Sequence, residues 1–189
     1  MKKNKLFAII GPSGAGKGTV IKEIKKLYPQ IKYPISFTTR EKRDGETNGE
    51  VYYFISQEKF NDMIKNEEFL EYQKVHQNAY YGSSKQEILG NLKEKNVLRE
   101  FDIQGVKELE KVMPKENLVK IFITVPNWET LEARILKRSS ISKEELNKRK
   151  ESFIKELEYS KNCDHIIESK ENMQEQLIKD FSQIINKYL

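Results

Sequence analysis

Cysteine occurs once, at Cys163, so no disulfide can close within the chain, and such sparing use fits a reducing compartment. Histidine occurs twice, at His76 and His165, with no second ligand at metal-binding spacing, so both are expected to be structural or surface groups. No apolar run approaches the ~20 residues of a membrane-spanning helix. The opening KKNKLFAII sets lysines before apolar residues, but LFAII is too short for the core of a secretory signal. A cytoplasmic protein with no membrane association is expected. Charge of one sign is not in great excess: 34 basic against 29 acidic residues leave a formal +5. A nucleic-acid binder would gather its cations into a tail or stripe, and none is present, so small anions are the expected partners. Internal repeats and low-complexity linkers are missing too.

What is present, over 189 residues, is the material for one well-filled α/β domain. KLFAII, from Lys5 to Ile10, reads as a buried parallel strand, and TVIKEIKKLY, from Thr19 to Tyr28, carries apolar residues at helical spacing. VYYFI (51–55) and FLEYQKV (69–75) are strand-like, Ser56 is placed to cap a short helix, and AYYGSS reads as a turn before a helical SKQEILGNLKEK. Alternation resumes with NVLREF, a helix from about Ile103, the strand Leu118 to Val125, a helix from Trp128, a polar joint RSSIS and a charged helix from Lys143. HII at 165–167 precedes a terminal helix. Strands alternating with helices imply a parallel sheet covered on both faces, interrupted by two insertions.

Between the first strand and the first helix lies GPSGAGKG. Its spacing is G-x-x-x-x-G-K, with Gly18 where the common phosphate-loop pattern has serine or threonine and the hydroxyl displaced to Thr19. Gly11, Gly14 and Gly16 let backbone N–H groups converge on a phosphate, with Pro12, Ser13 and Ala15 between them, and the helix that follows adds its positive end. Lys17 supplies a mobile charge for the outer phosphates. The loop announces a nucleoside triphosphate without naming what receives its phosphoryl group.

A second anion device follows. SFTTREKRDGE, from Ser36 to Glu46, sets three hydroxyl residues and two arginines in extended and turn-forming sequence, and the planar forks of Arg40 and Arg43 suit phosphate oxygens. The ordered set GPSGAGKGT, SFTTREKRDGETNGEVYYF, LEY, YYGSS, FDIQG and the arginines of the later helices resembles the guanylate kinases over nearly the whole chain. The resemblance implies a P-loop parallel sheet flanked by helices, with a strand-rich GMP-binding insertion at 35–92 and a helical lid at 127–155, the core being 1–34, 93–126 and 156–189.

It also implies roles. Ser36, Arg40 and Arg43 would grip the GMP phosphate, with Tyr52 and Tyr81 donating phenolic hydrogen bonds. Glu71 would accept from N1–H and the 2-amino group of guanine, a donor pair that adenine lacks, with Ser83, next to Gly82, facing O6. Asp102 falls just past a strand end, where ligands of parallel sheets collect, and belongs to the guanine or the Mg²⁺-water network. ATP would be held by 11–19 with Arg134, and Arg138 and Arg149 match lid arginines that touch its phosphates; Arg134 and Arg138 lie four apart on one helix face. Lys17, Arg40, Arg43, Arg138 and Arg149 form the expected catalytic set. Mg²⁺ would arrive with ATP, held through phosphates and water, with Thr19 or Asp102 as candidate protein donors.

Four positions depart from the family pattern: Arg99 in a strand read as central, Ser139, Lys150, and Ser169 in place of an asparagine that contacts adenine. Trp128 is expected to anchor the lid helix. The activity expected is transfer of the ATP γ-phosphoryl to GMP, and to dGMP, by a monomer or a homodimer. Two other classes compete: a guanylate-kinase-like protein-binding module without catalysis, and a kinase for another monophosphate such as AMP.

Overall fold

The computed structural model describes residues 3–50, 52–74, 79–138 and 141–189, without the side chain of Arg138. His76 and Ser139 lie outside the described residues.

Two compact units emerge, Met1–Leu6 with Gln30–Leu98 and Gln104–Asn117, and Phe7–Pro29 with Arg99–Ile103 and Leu118–Leu189. The main sheet has the order β6-β1-β7-β8, from β1 (Leu6–Ile10), β6 (Val97–Glu100), β7 (Leu118–Thr124) and β8 (His165–Glu168). All five residues of LFAII are buried, as a strand covered on both faces demands. β7 and β8 pair in parallel from Ile121 opposite His165 to Thr124 opposite Glu168. Helix α1 (Lys17–Leu27) buries Val20, Ile21 and Ile24 at helical spacing and starts at Lys17, two residues before the expected Thr19.

Helix α4 (Ile103–Val112) follows β6, and α5 (Trp128–Arg138) follows β7. Asn127 caps α5, its Oδ1 accepting from the Thr130 N–H at 2.9 Å. Ser142 caps α6 (Lys143–Ser160) in the same way, its Oγ accepting from the Glu145 N–H at 3.2 Å. Trp128 is buried against Phe153 with ring centroids 5.9 Å apart, so the expected anchor joins α5 to α6. Lys150 places its ammonium 5.8 Å from the Trp128 ring centroid, which shows how that departure is accommodated. At the chain end, α7 (Gln174–Tyr188) buries Leu177, Phe181, Ile184 and Ile185.

The second sheet has the order β3-β2-β5-β4, from β2 (Ser36–Thr38), β3 (Tyr52–Phe54), β4 (Phe69–Lys74) and β5 (Tyr80–Ser84). β2 runs parallel to β3 and antiparallel to β5, which in turn is antiparallel to β4. YYGSS is thus a strand and not the expected turn. Gly82 serves packing there: a Cβ on it would meet Phe69 at 2.7 Å and Phe60 at 3.0 Å. Those two rings stack at 4.4 Å and, with Met63, form a small core against Phe37, Ile55, Ile64 and Tyr80. Helix α2 (Gln57–Lys65) supplies Phe60 and Met63, and Ser56 caps it by accepting from the Lys59 N–H at 3.1 Å. SKQEILGNLKEK is helical as expected, from Lys85 to Glu94, with a π-helical stretch at Gln86–Gly90 running into one α-turn, α3, at Asn91–Glu94.

Arg99 also needs correcting. β6 is an outer strand of the main sheet, not a central one, and the buried Arg99 guanidinium lies 5.8 Å from the Phe101 ring centroid. The guanidinium is nonetheless withdrawn from water, so the cost of burying a charge remains, offset in part by the contact with the ring.

Candidate active site

The glycine loop leaves β1 and turns into α1. Gly11, Gly14 and Gly16 have φ of 141°, 100° and 103°, in the left-handed region where side chains strain the backbone. At Gly11 a Cβ would also sit 2.0 Å from the Ile123 carbonyl oxygen, so only glycine lets the loop pass over β7. Gly18 differs, since a Cβ there would meet nothing within 4 Å. Lys17 is buried to 9% exposure and folds back over its own loop. Its ammonium donates to the carbonyls of Gly11 and, at 3.0 Å, Pro12, and lies 3.5 Å from a carboxylate oxygen of Glu100. These are acceptors that phosphate oxygens can replace without moving the helix. Pro12 and Ala15 are buried, while Ser13 and Thr19 are exposed.

Beside this loop is a cavity of about 410 Å³ whose lining includes Gly14, Gly16, Thr19, Arg134, Ser169 and Lys170. Arg134 is tied to Ser169 twice, donating at 3.0 Å to its Oγ and at 3.0 Å to its carbonyl. The structure thus brings Arg134 to the wall of this cavity through its bonds to Ser169. A smaller cavity of about 60 Å³ is lined by Pro12, Ser13, Leu131, Ile135, Arg149, Ser152 and Glu156, which places Arg149 against the phosphate loop. Arg149 also donates from Nε to Glu145 at 3.0 Å. The side chain of Arg138 lies outside what the structure describes. Asp102 is exposed, two residues past the end of β6.

Glu156 was not anticipated from the sequence. Its Oε1 accepts from the Ser152 hydroxyl at 2.9 Å, while Oε2 is sealed from solvent without a hydrogen bond. Burial pushes its carboxyl above the usual range, with Asp102 adding to the rise while Ser152 and Lys17 oppose it.

In the second sheet, Ser36 pairs with Tyr52, and Thr38 with Tyr81. Tyr52 and Tyr81 meet edge-on at 5.5 Å. The Arg40 guanidinium lies 5.7 Å from the Tyr52 ring centroid and 5.3 Å from that of Phe54. Arg40, Tyr52 and Tyr81 are therefore gathered, with Ser36 beside Tyr52 in register. The Glu46 carboxylate, hydrogen-bonded to Arg40, leads the influences that raise the Arg40 pKa, and it is itself held below the usual carboxylate range by that bond and by the Arg43 N–H. The side chain of Arg43 is exposed. Glu71 and Ser83 are register partners on β4 and β5, and the fully buried Ser83 hydroxyl donates to the Glu71 carboxylate.

Comparison with known proteins identifies the family. The guanylate kinase family model matches residues 3–188. The chain belongs to the guanylate kinase family. It is 42% identical over 168 residues to a guanylate kinase of Clostridioides difficile, covering 88% of this chain and 80% of that protein. A guanylate kinase of Fusobacterium nucleatum is 41% identical over 186 residues, covering 98% and 97%. Among solved structures, guanylate kinase from Anaplasma phagocytophilum superposes with a TM-score of 0.71 at 25% identity, covering 99% of this chain and 87% of that one. Against the guanylate kinase pattern, the residues missed from sequence are carboxylates. Glu46 lies within SFTTREKRDGE itself, whereas no local signal marks Glu156, which owes its place to the packing of α6.

Proposed function

We propose that this chain catalyses transfer of the γ-phosphoryl group of ATP to GMP, yielding ADP and GDP, and accepts dGMP as well. The observation that carries the reading is the Glu71–Ser83 pair built into the same four-stranded sheet as Tyr52 and Tyr81, with Arg40 two residues past the end of β2. A carboxylate that accepts two donors fits guanine, and a guanidinium flanked by phenols fits a phosphate dianion. The relatives' shared name, guanylate kinase, supports the same substrate pair.

The 11–19 loop and Lys17 hold the triphosphate, and the cavity beside Arg134 and Ser169 takes the nucleoside end of ATP. Residues 35–92 form the acceptor arm and 127–155 the lid, whose Arg138 and Arg149 meet the transferring phosphates. The acceptor is already an oxyanion, so no general base and no covalent intermediate are needed; positioning and charge neutralisation carry the reaction. Lys17 and the lid arginines neutralise the moving group, while Arg40 and Arg43 orient the attacking oxygen. Mg²⁺ would be held through the ATP phosphates and water, with the exposed oxygen of Thr19 or of Asp102 as a protein donor suited to a hard cation that keeps several waters, and would supply charge neutralisation on the ATP phosphates. Among the described residues no helix is long and apolar enough to cross a membrane, and we place the activity in the cytoplasm.

A coupled ADP-release assay with GMP, dGMP, AMP, UMP and CMP as separate acceptors tests this. GMP-dependent turnover far above that with AMP is expected. No turnover with any acceptor would instead favour the protein-binding class, against which the intact Gly16, Lys17 and Thr19 already argue.

A further inference from the structure

We propose that Glu46 is a positioning residue for capture of the acceptor phosphate: its carboxylate aims the Arg40 guanidinium and fixes the turn that carries Arg43. The inference rests on the reading of Arg40 and Arg43 as the phosphate grip. Arg40 donates from Nη2 to Glu46 Oε1 at 2.8 Å and from Nη1 to the Glu41 carbonyl at 2.7 Å. The other Glu46 oxygen accepts from the Arg43 backbone N–H at 2.8 Å. The Glu46 N–H returns a bond to the Arg43 carbonyl at 3.1 Å, so residues 43 and 46 lock each other.

This reciprocity decides between an anchor and a competitor. A carboxylate that merely stood in for phosphate would need to swing away when phosphate arrives. Here one oxygen is committed to a backbone turn, so Glu46 stays while Arg40 keeps N–H groups for an incoming anion out of the five a guanidinium carries. Both side chains are largely covered, at 14% and 19% exposure, with the Tyr52 and Phe54 rings beside the guanidinium. A long side chain ordered in advance loses less freedom when it binds.

The test compares wild type with Glu46→Ala and Glu46→Gln by steady-state kinetics, and by calorimetric titration with GMP and with guanosine, which lacks the phosphate. Glu46→Ala is expected to raise the GMP KM about 10-fold, the effect of losing one charge-assisted contact, with kcat and the ATP KM little changed. Glu46→Gln, which keeps an acceptor oxygen, recovers part of the loss, and guanosine affinity does not move. An unchanged or lowered GMP KM in Glu46→Ala would overturn the role. Equal losses for GMP and guanosine would also overturn it, since they would mark general damage to the arm. Wild-type turnover with GMP, measured in the same series, stands for the parent reading: its absence would remove that reading, whereas normal wild-type turnover with an unaffected variant removes only the role of Glu46.

Discussion

The two proposed anion cradles of this chain are made from different chemistry. The first is backbone: three glycines at positive φ, a helix start, and one lysine satisfied by its own loop's carbonyls. The second is side chain: an arginine braced by a carboxylate and rings, and a carboxylate–hydroxyl pair across two strands. A backbone cradle reads any phosphate and cannot tell one base from another. A side-chain cradle can choose, because each donor and acceptor has its own place. The contrast also separates what each demands: the loop demands glycine at Gly11, where a Cβ would clash, whereas the sheet demands a polar pair, Glu71 with the buried Ser83.

Substitutions can break that contrast or sharpen it. The largest effect is expected at Glu71→Gln, which leaves Ser83 a partner but presents guanine with a mismatched amide. The preference for GMP over AMP, measured as the ratio of kcat/KM values, should fall by on the order of 10⁴-fold. A preserved ratio would move base selection elsewhere. Next comes Gly11→Ala, where both φ and the Ile123 carbonyl forbid a Cβ. It should lose about 3–5 kcal/mol of folding stability in denaturant titration, whereas Gly18→Ala, with open space and a helical position, should gain about 0.5–1 kcal/mol. Similar losses at both glycines would contradict a cradle shaped by specific backbone positions.

Glu156→Gln is smaller again. Burial raises the folded-state pKa above the unfolded one, so folding favours the protonated acid, and that contribution is lost as pH rises through the window above the usual carboxylate range. The variant should therefore melt about 2–4 °C above wild type at pH 8, with the gap closing towards pH 4. A gap that widened on acidification would contradict the account of Glu156.

Much of the backbone cradle was legible in the sequence, because glycine spacing between an apolar strand and an amphipathic helix is a local pattern. Ser56 as a cap, Trp128 as an anchor and the strand–helix alternation were legible for the same reason. YYGSS was misread because glycine after two tyrosines looks like a turn; the need for glycine comes from the Phe69 and Phe60 rings, brought there by strand pairing and by α2. Arg99 was misplaced because strand order is not written in any one strand. Among the candidate residues, Arg40, Tyr52 and Tyr81 converge, as do Glu71 and Ser83, but that convergence depends on register, which sequence alone left to family resemblance.

The central claim is that each nucleotide has its own cradle. Calorimetric titration of Arg40→Ala and Lys17→Ala, each with GMP and with a non-hydrolysable ATP analogue, addresses it most directly. The account predicts a crossed pattern, in which Arg40→Ala weakens GMP about 10–100-fold and spares the analogue, while Lys17→Ala does the reverse. Equal weakening of both ligands in both variants would contradict it.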